Sequence, residues 1–387
     1  MDRTYVRMIV ALAPLALAAA PSLLRAQATF KVVPTPNEHK GVKNNNLLRA
    51  AASSATDIWA VGQSAIHYDG TTWTAFPTPM INGDNTSNLN GLVDFSPTDA
   101  WAAGIINIGE ANPNQIIEHW DGTAWSVATG PTFNSNQQPS LYGMTATAPN
   151  NIWAVGALLV NNQLLEGLFE HYDGAAWTAT TGPFVGFPNA VSADASNDIW
   201  LVGCGNFSQH YNGTKWNLVK APNVGTGPNC LNGVAALAPN DVWAVGYSTA
   251  TMKPPPGQFD VPTMTLTEHY DGTSWTVIPS PNIGPNSQFQ SNRLLGVVAV
   301  SSNDVWAFGS YFAASGSEEE STLVLHWDGT SWSINPSPSP KPGNFRNDIL
   351  FGGVFTAPSD VWLVGSEDPA TTGRPVTVTL VLHTTGG

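Results

Sequence analysis

Basic residues are scarce in this sequence. Lys and Arg number 14 in 387 residues, whereas Asp and Glu number 28, and charged residues of both signs make up only 11%. With a formal net charge of −14, the chain has no phosphate-neutralising surface for a nucleic acid, and an anionic membrane would repel it. We therefore expect neither as a partner.

Cysteine is also nearly absent, since Cys204 and Cys230 are the only two. No Cys/His spacing suits zinc, no glycine-rich loop suits a phosphate group, and no serine stands in a nucleophile elbow. The sequence therefore predicts no metal, no cofactor and no catalytic residue.

Long hydrophobic runs are confined to the N-terminus. "MDRTYVR" is followed by the apolar "MIVALAPLALAAAPSLL" and by the small-x-small "AQA", which together are typical of a secretory signal peptide cleaved after Ala28. No later apolar run approaches the ~20 residues of a spanning helix. We expect residues 1–28 to be removed, and residues 29–387 to form one soluble domain, secreted or periplasmic, without membrane insertion.

A repeat fills the remainder of the chain, which is rich in Trp, Gly and Pro as all-β proteins are. Its first block occurs seven times: "DIWAVG" (57–62), "DAWAAG" (99–104), "NIWAVG" (151–156), "DIWLVG" (198–203), "DVWAVG" (241–246), "DVWAFG" (304–309) and "DVWLVG" (360–365). Its second block follows six of them: "HYDGTTW" (67–73), "HWDGTAW" (119–125), "HYDGAAW" (171–177), "HYNGTKW" (210–216), "HYDGTSW" (269–275) and "HWDGTSW" (326–332). The seventh copy breaks off as "HTTGG" at His383.

The missing end of the seventh copy stands at the start of the domain. "FKVVPTPN" (30–37) aligns with "WTVIPSPN" (275–282), so the first strand should complete the last unit and close a ring. Successive first-block tryptophans are 42 to 63 residues apart, which suits four short strands per unit. We predict an all-β, seven-bladed β-propeller, latched by its N-terminal strand.

The repetition also decides how His269 and Asp271 are interpreted. A catalytic pair is needed once, whereas seven of the eight histidines occupy the same repeat position. We expect Asp-Gly to form a hairpin turn with positive φ at both central residues. The residues assigned to structure are Trp59, Trp101, Trp153, Trp200, Trp243, Trp306, Trp362, Asp69, Asp121, Asp173, Asp271 and Asp328.

The pattern "D-[IV]-W-A-V-G … H-Y-D-G-T-x-W" resembles exported β-propellers of bacteria. It is most similar to repeats in the periplasmic sensor regions of two-component systems, and more loosely to kelch and galactose-oxidase repeats. The resemblance covers residues 29–387 and implies architecture more than function, because propellers host unrelated activities. A copper oxidase would also need a Tyr–Cys cross-link and histidines outside the repeat, of which His39 is the only one.

Two faces are expected of such a ring. The first-to-second and third-to-fourth turns are short and uniform, whereas the second-to-third loops and the connections between units are long and differ in every copy. Because rigid scaffolds carry binding residues on their diversified loops, this variable face is the candidate site. The candidates there and at the channel mouth are Arg49, Asn90, Tyr142, Asn232, Arg293, Arg346 and Asp348, with loop-tip aromatics Phe133, Phe187, Phe259 and Phe289.

The topology brings Cys204 and Cys230 to the same face in neighbouring units. An exported protein is exposed to oxidising conditions, so we predict a disulfide, with two free thiols as the alternative. We predict a monomeric, non-catalytic binding or scaffold protein that contacts a glycan or a protein. The alternatives are a secreted enzyme acting on polysaccharide at the channel mouth, and a sensor or assembly module of an envelope complex.

Overall fold

The computed structural model describes most of the domain, and its regular secondary structure there is entirely β. The described residues are 28–38, 44–79, 87–106, 114–183, 186–205, 207–249, 262–284, 291–312, 320–340, 347–368 and 377–384. The predicted signal peptide, apart from Ala28, and most of the variable loops lie outside these ranges. In the described part of the chain, no helix is long and apolar enough to cross a membrane.

The described residues form 28 strands, which follow one another without intervening helices. They are β1 Phe30–Val32, β2 Leu47–Ser54, β3 Asp57–Gly62, β4 Ala65–Tyr68, β5 Trp73–Phe76, β6 Asn88–Ser96, β7 Asp99–Ile106, β8 Asn114–Trp120, β9 Trp125–Val127, β10 Gln137–Ala148, β11 Asn151–Val160, β12 Leu164–Tyr172, β13 Trp177–Pro183, β14 Pro188–Ala195, β15 Asp198–Gly203, β16 Phe207–Tyr211, β17 Trp216–Leu218, β18 Asn229–Ala238, β19 Asp241–Thr249, β20 Thr263–Tyr270, β21 Trp275–Val277, β22 Ser291–Ser301, β23 Asp304–Phe312, β24 Glu320–Trp327, β25 Trp332–Ile334, β26 Ile349–Ala357, β27 Asp360–Glu367 and β28 Val378–Thr384.

Consecutive strands pair antiparallel in groups of four, and each group is one repeat unit. Five sheets have four strands, and a sixth has eight because a single parallel bridge, Thr263 to Ser291, joins two groups. In the last sheet, β1 pairs antiparallel with β28, with Phe30 opposite Thr384. The first strands of the groups contact one another in sequence from β2 to β26, and β26 in turn contacts β2.

The apolar core lies between neighbouring sheets. Trp59 of β3 packs against Trp120 and Trp125 of the next sheet, with ring centroids 4.8 and 5.1 Å away. All seven first-block tryptophans are buried, with at most 9% of their surface exposed. The unit-to-unit contacts therefore explain why the first block repeats its tryptophan in every unit.

The first strand of each unit carries a β-bulge near its start. One extra residue interrupts the ladder there, and these bulge residues are Leu48, Asn90, Tyr142, Asn189, Asn232, Leu295 and Phe351. The glycine that ends each first block faces the bulge, and a Cβ at Gly246 would lie 1.8 Å from the carbonyl oxygen of Cys230. Only glycine fits this position, so the repeated "WAVG" is a steric requirement.

The Asp-Gly loops differ in one respect from the predicted hairpin. Gly272 has φ of 91°, but Asp271 does not have positive φ, so the expected two-residue turn is wrong. Asp271 Oδ1 instead accepts hydrogen bonds from the backbone N–H groups of Thr273 (2.8 Å) and Ser274 (2.9 Å). The carboxylate thus holds a four-residue loop between Tyr270 and Trp275, in which only the glycine needs positive φ.

These loops lie beside the first-to-second turns. A Cβ on Gly272 would lie 2.8 Å from the Cβ of Asn240, and one on Gly70 would lie 2.6 Å from Thr56 Cγ2. We call this end of the sheets the uniform face and the opposite end, where the bulges lie, the variable face.

Candidate functional site

Six of the seven repeat histidines pair with an aspartate, and the seventh with an asparagine, at a position that the sequence did not single out as their partner. His269 Nε2 is 2.9 Å from Asp241 Oδ1, and Asp271 takes no part in the pair. Because Trp243 stands opposite His269 in the ladder, Asp241 lies diagonally across from the histidine on the same face. The seven pairs are His67–Asp57, His119–Asp99, His171–Asn151, His210–Asp198, His269–Asp241, His326–Asp304 and His383–Asp360.

Each histidine ring also stacks on the first-block tryptophan of its unit. The ring centroids of Trp243 and His269 are 4.6 Å apart, and those of Trp306 and His326 are 4.1 Å apart. A Trp–His group with an Asp partner in six units and an Asn partner in the third is a packing and hydrogen-bonding device.

We expect Asp241→Ala to lower the free energy of unfolding by about 1–3 kcal/mol, because His269 loses its hydrogen-bond partner. Asp241→Asn should cost less than ~1 kcal/mol, since Asn151 already fills this role at 2.7 Å from His171. Urea unfolding of the two variants checks both values. An asparagine variant as unstable as the alanine variant would contradict the hydrogen-bond explanation.

A central channel lies where the first strands meet. It holds a cavity of about 280 Å³, lined by residues of all seven first strands, among them the predicted Arg49 and Asn232. The Arg49 guanidinium donates to the carbonyl oxygen of its neighbour Leu48 (2.8 Å) and to that of Asn189 (3.2 Å). Since Asn189 belongs to β14, the Arg49 side chain spans the channel.

The positive charge of Arg49 has no carboxylate partner among the described residues. Among the described residues, every ion pair joins a histidine to an aspartate, so Arg49 faces no carboxylate at ion-pair distance. Desolvation by burial lowers the pKa of Arg49 to about 10. The guanidinium remains protonated at neutral pH and can attract an anionic group.

Asparagines at the bulges tie neighbouring units together. Asn90 donates to the carbonyl of Leu141 (3.0 Å), and Asn232 donates to that of Leu294 (2.8 Å). Tyr142 occupies the same bulge position and packs edge-to-face on Phe187, with centroids 6.2 Å apart. Three of the predicted residues therefore share one ring of positions, which the repeated "LNG" of the sequence marks.

The predicted disulfide between Cys204 and Cys230 is confirmed. It joins the end of β15 to the first strand of the next unit. The side-chain amide nitrogen of Asn189 lies 3.3 Å from each sulfur and donates to the carbonyl of Leu231 (3.0 Å). The bridge is thus adjacent to the residue whose carbonyl holds Arg49.

The other predicted residues lie apart from this ring. The Arg293 guanidinium is 5.7 Å from the ring centroid of Tyr247, and Arg293 is not among the residues that line the cavity. Asp348 is 2% exposed, and its backbone N–H donates to the carbonyl of Glu320 (2.9 Å). Arg346 lies outside the described residues.

Three buried glutamates were missed in the sequence. Glu118, Glu170 and Glu268 precede the repeat histidine in the third strands of their units, and each is 0% exposed. The carboxylate oxygens of Glu118 and Glu268 have no hydrogen-bond partner among the described residues, whereas the Gln115 side chain approaches the carboxyl of Glu170. Burial raises the pKa of these carboxyls to about 8, 7 and 8 respectively, with the amide of Gln115 acting against the shift at Glu170. "EHW" and "EHY" in three copies were the available signal.

A second cavity, of about 600 Å³, lies on the variable face beside β8. It is formed by β8, the segment after β9 and the start of β10, and it includes the predicted aromatic Phe133. Phe187 is 46% exposed near Tyr142, whereas Phe259 and Phe289 lie outside the described residues. Within the described ranges, no group of three or more His, Cys, Asp or Glu side chains could hold a metal ion.

Four-stranded antiparallel sheets arranged around a channel define a β-propeller. No model of a known protein family matches the sequence, and no curated protein sequence matches it. Several solved structures are similar in fold. YCF48 bound to a D1 peptide matches with a TM-score of 0.56 and 14% identity, over 92% of this chain and 97% of that chain. YCF48 from Cyanidioschyzon merolae matches with a TM-score of 0.57 and 14% identity, over 92% of this chain and 99% of that chain. The WD40 propeller domain of Doa1 is also similar (0.56, 8%, 93% and 97%). At these identities, the likeness establishes the fold alone.

Proposed function

We propose that this chain is an exported, non-catalytic, seven-bladed propeller that binds a protein segment at the mouth of its channel. In this proposal, β1 latches the ring by completing the last blade. Support for the blade number comes from seven copies of the repeat and from the contact of β26 with β2. Support for export comes from the N-terminal apolar segment and from the disulfide.

The Arg49 guanidinium carries the proposal. It spans the channel and meets no carboxylate among the described residues, although the chain as a whole is acidic. A buried or partly buried charge without a counter-ion is costly, so a ligand that brings a carboxylate gains more there than at a solvated arginine. The side chain of a glutamate or aspartate, or the C-terminus of a peptide, supplies such a group.

A protein ligand is favoured over a glycan for two reasons. The cavity presents a cation rather than a set of carboxylates, and the similar YCF48 structure holds a D1 peptide. A glycan ligand, a monomeric state and a resemblance to sensor-type or kelch-type repeats stay predictions from the sequence. The enzyme alternative required carboxylates grouped at the channel mouth, and none lines the cavity among the described residues.

We expect a free-acid peptide to bind more tightly than its amide. The test uses tetra-alanine with a free C-terminus and tetra-alanine amide, each titrated into the protein while the Arg49 guanidinium signal is followed by NMR. The acid should bind at least about tenfold more tightly, as for a charge-assisted pair of ~1.5–3 kcal/mol. Arg49→Gln should abolish the difference.

Arg293→Gln is the matched control, because it also removes an arginine from a first strand but lies outside the cavity. It should leave the preference for the acid unchanged. Equal binding of acid and amide by the wild-type protein would refute a carboxylate site at Arg49.

A further inference from the structure

No strand of the described residues pairs with the outer edge of β8 along its first half. β9 pairs with β8 from Trp120 back to Glu118, and Ala128 N–H then donates to the carbonyl of Ile117 (2.9 Å). β8 begins at Asn114, so its first residues, 114–116, extend past the end of β9. No described strand pairs with these residues on the outer edge of the sheet. The cavity of about 600 Å³ borders this free edge.

The next unit shows what fills the same place. β13 pairs with β12 along its whole length, up to Pro183 opposite Glu166, whereas the other outer strands have three or four residues. The sequence from the closing tryptophan onward is similar in the two units, "WTATTGP" and "WSVATGP", and both end in Thr-Gly-Pro. Residues 181–183 continue the ladder in one unit, but residues 129–131 form no described backbone hydrogen bond to β8 in the other.

The backbone groups of Gln115 point toward this edge. In an antiparallel ladder the N–H and C=O of one residue face the same side, and alternate residues face alternate sides. Since the Ile117 carbonyl faces β9, the groups of Gln115 face the cavity. The Gln115 N–H is met by the side chain of its own neighbour, Asn114 Oδ1, at 2.9 Å, and Asn114 is exposed.

Three other units cover the corresponding N–H with a side chain from the segment that follows their fourth strand, which in the last unit is the segment after β1. The Thr265 N–H donates to Asn282 Oδ1 (2.8 Å), and the Thr322 N–H donates to Ser339 Oγ (3.1 Å). The Thr379 N–H donates to Asn37 Oδ1 (2.9 Å). β8 therefore differs from these third strands in the group that accepts from its edge N–H. That group is the exposed side chain of the adjacent Asn114, next to a cavity, and not a side chain from another segment.

The chemistry of the lining defines the occupant. Amide and hydroxyl side chains and a few apolar ones form the lining, which includes Asn114, Gln115, Ile117, Phe133, Asn134 and Gln138. None of the described residues that line the cavity has an ionisable side chain. Amides can donate and accept, which suits a peptide backbone. Uncharged walls suit an extended segment without charged side chains, of the kind that the chain itself places on β12.

We propose that the cavity beside β8 binds an extended, uncharged segment of a partner protein, which adds a strand to the free edge at Gln115. Strand addition of this kind takes its affinity from main-chain hydrogen bonds and its selectivity from the flanking side chains. The inference goes beyond the proposed binding at the channel mouth, because it assigns a second protein segment to an edge that does not involve Arg49.

The probe is the acetylated, amidated peptide TATTGP, which copies residues 178–183. Titration by NMR should shift the Gln115 amide signal and slow its hydrogen exchange. Two N-methylated peptides distinguish strand addition from other binding, one methylated at the positions of Thr180 and Gly182 and the other at those of Ala179 and Thr181. One of the two should lose at least tenfold in affinity and the other should retain it, because alternate N–H groups face β8. Loss with both, or with neither, would overturn the proposal.

Two variants locate the site. Asn114→Ala should tighten binding several-fold, because it removes the side chain that competes for the Gln115 N–H, whereas Phe133→Ala should weaken it. Phe187→Ala, an exposed aromatic outside this cavity, is the control and should change nothing. If the protein forms a concentration-dependent dimer that the peptide dissociates, a second copy of this chain occupies the edge. That result would refute a partner protein as the occupant. Arg49→Gln should leave peptide affinity unchanged, so failure here is separable from failure at the channel.

Discussion

Deleting residues 29–37 should lower the melting temperature by about 10 °C or more, from a loss of several kcal/mol. Phe30 is 4% exposed and packs edge-on against Trp306, with ring centroids 5.6 Å apart. The deletion also removes the backbone bond from Val33 N–H to the carbonyl of Val381 (2.9 Å) and exposes the outer edge of β28. Thermal unfolding followed by circular dichroism measures the change.

Point substitutions in β1 separate the apolar contribution from the pairing itself. Phe30→Ala should cost about 3–5 kcal/mol, as large-to-small changes in a core do. Lys31→Ala, at an exposed position of the same strand, should cost less than ~0.5 kcal/mol. A truncated protein that melts like the full-length protein would show that β1 does not act as a latch.

Stability should decline as the pH rises from about 5 to 9. Glu118, Glu170 and Glu268 have folded-state pKa values of about 8, 7 and 8, above the ~4.3 of an unfolded chain. A carboxyl whose pKa is higher in the folded than in the unfolded state stabilises the fold fully when the pH is below its unfolded pKa. This contribution is lost as the pH rises through the folded pKa. Each carboxyl therefore contributes a slope of up to about 1.4 kcal/mol per pH unit in that window.

Replacing the three residues by glutamine should remove most of this slope, measured by urea unfolding at pH 5, 7 and 9. Glutamine is accommodated at this place, because Gln209 occupies it in the fourth unit and is 7% exposed. A smaller slope should remain from Asp94, whose pKa is raised to about 8 by burial and by the charge of Asp57. Equal slopes in the wild-type and triple-variant proteins would contradict a proton on the buried glutamates.

The sequence predicted what is repeated or local. Seven copies of the first block and six of the second defined the strands and the buried tryptophans, and the topology brought Cys204 beside Cys230. It did not identify the hydrogen-bond partner of His269. Asp271 is nearer in the chain, but strand register puts Asp241 within reach of the ring. Pairing across a ladder depends on register, which a repeat motif alone does not reveal.

Features confined to one unit were harder to predict. The sequence placed Arg49 near the channel, but not its reach to the Asn189 carbonyl on the far side. The free edge of β8 was not anticipated, because residues 129–131 and 181–183 share the sequence Thr-Gly-Pro and differ in what they pair with. Here the surrounding loop decides the structure, and local sequence preference does not.

The position that follows the bulge residue limits how the channel could diversify by mutation. Four glycines stand there with an added Cβ 3.0 Å or less from atoms of other strands: Gly91, Gly233, Gly296 and Gly352. A fifth, Gly143, would bring a Cβ to 3.1 Å from Val191 Cγ1. Arg49 and Ala190 occupy the two remaining units. Single substitutions can therefore change the charge or size of the channel lining in this ring of seven positions only at Arg49 and Ala190. At the five glycine positions, the close approach of neighbouring strands leaves no room for a larger side chain.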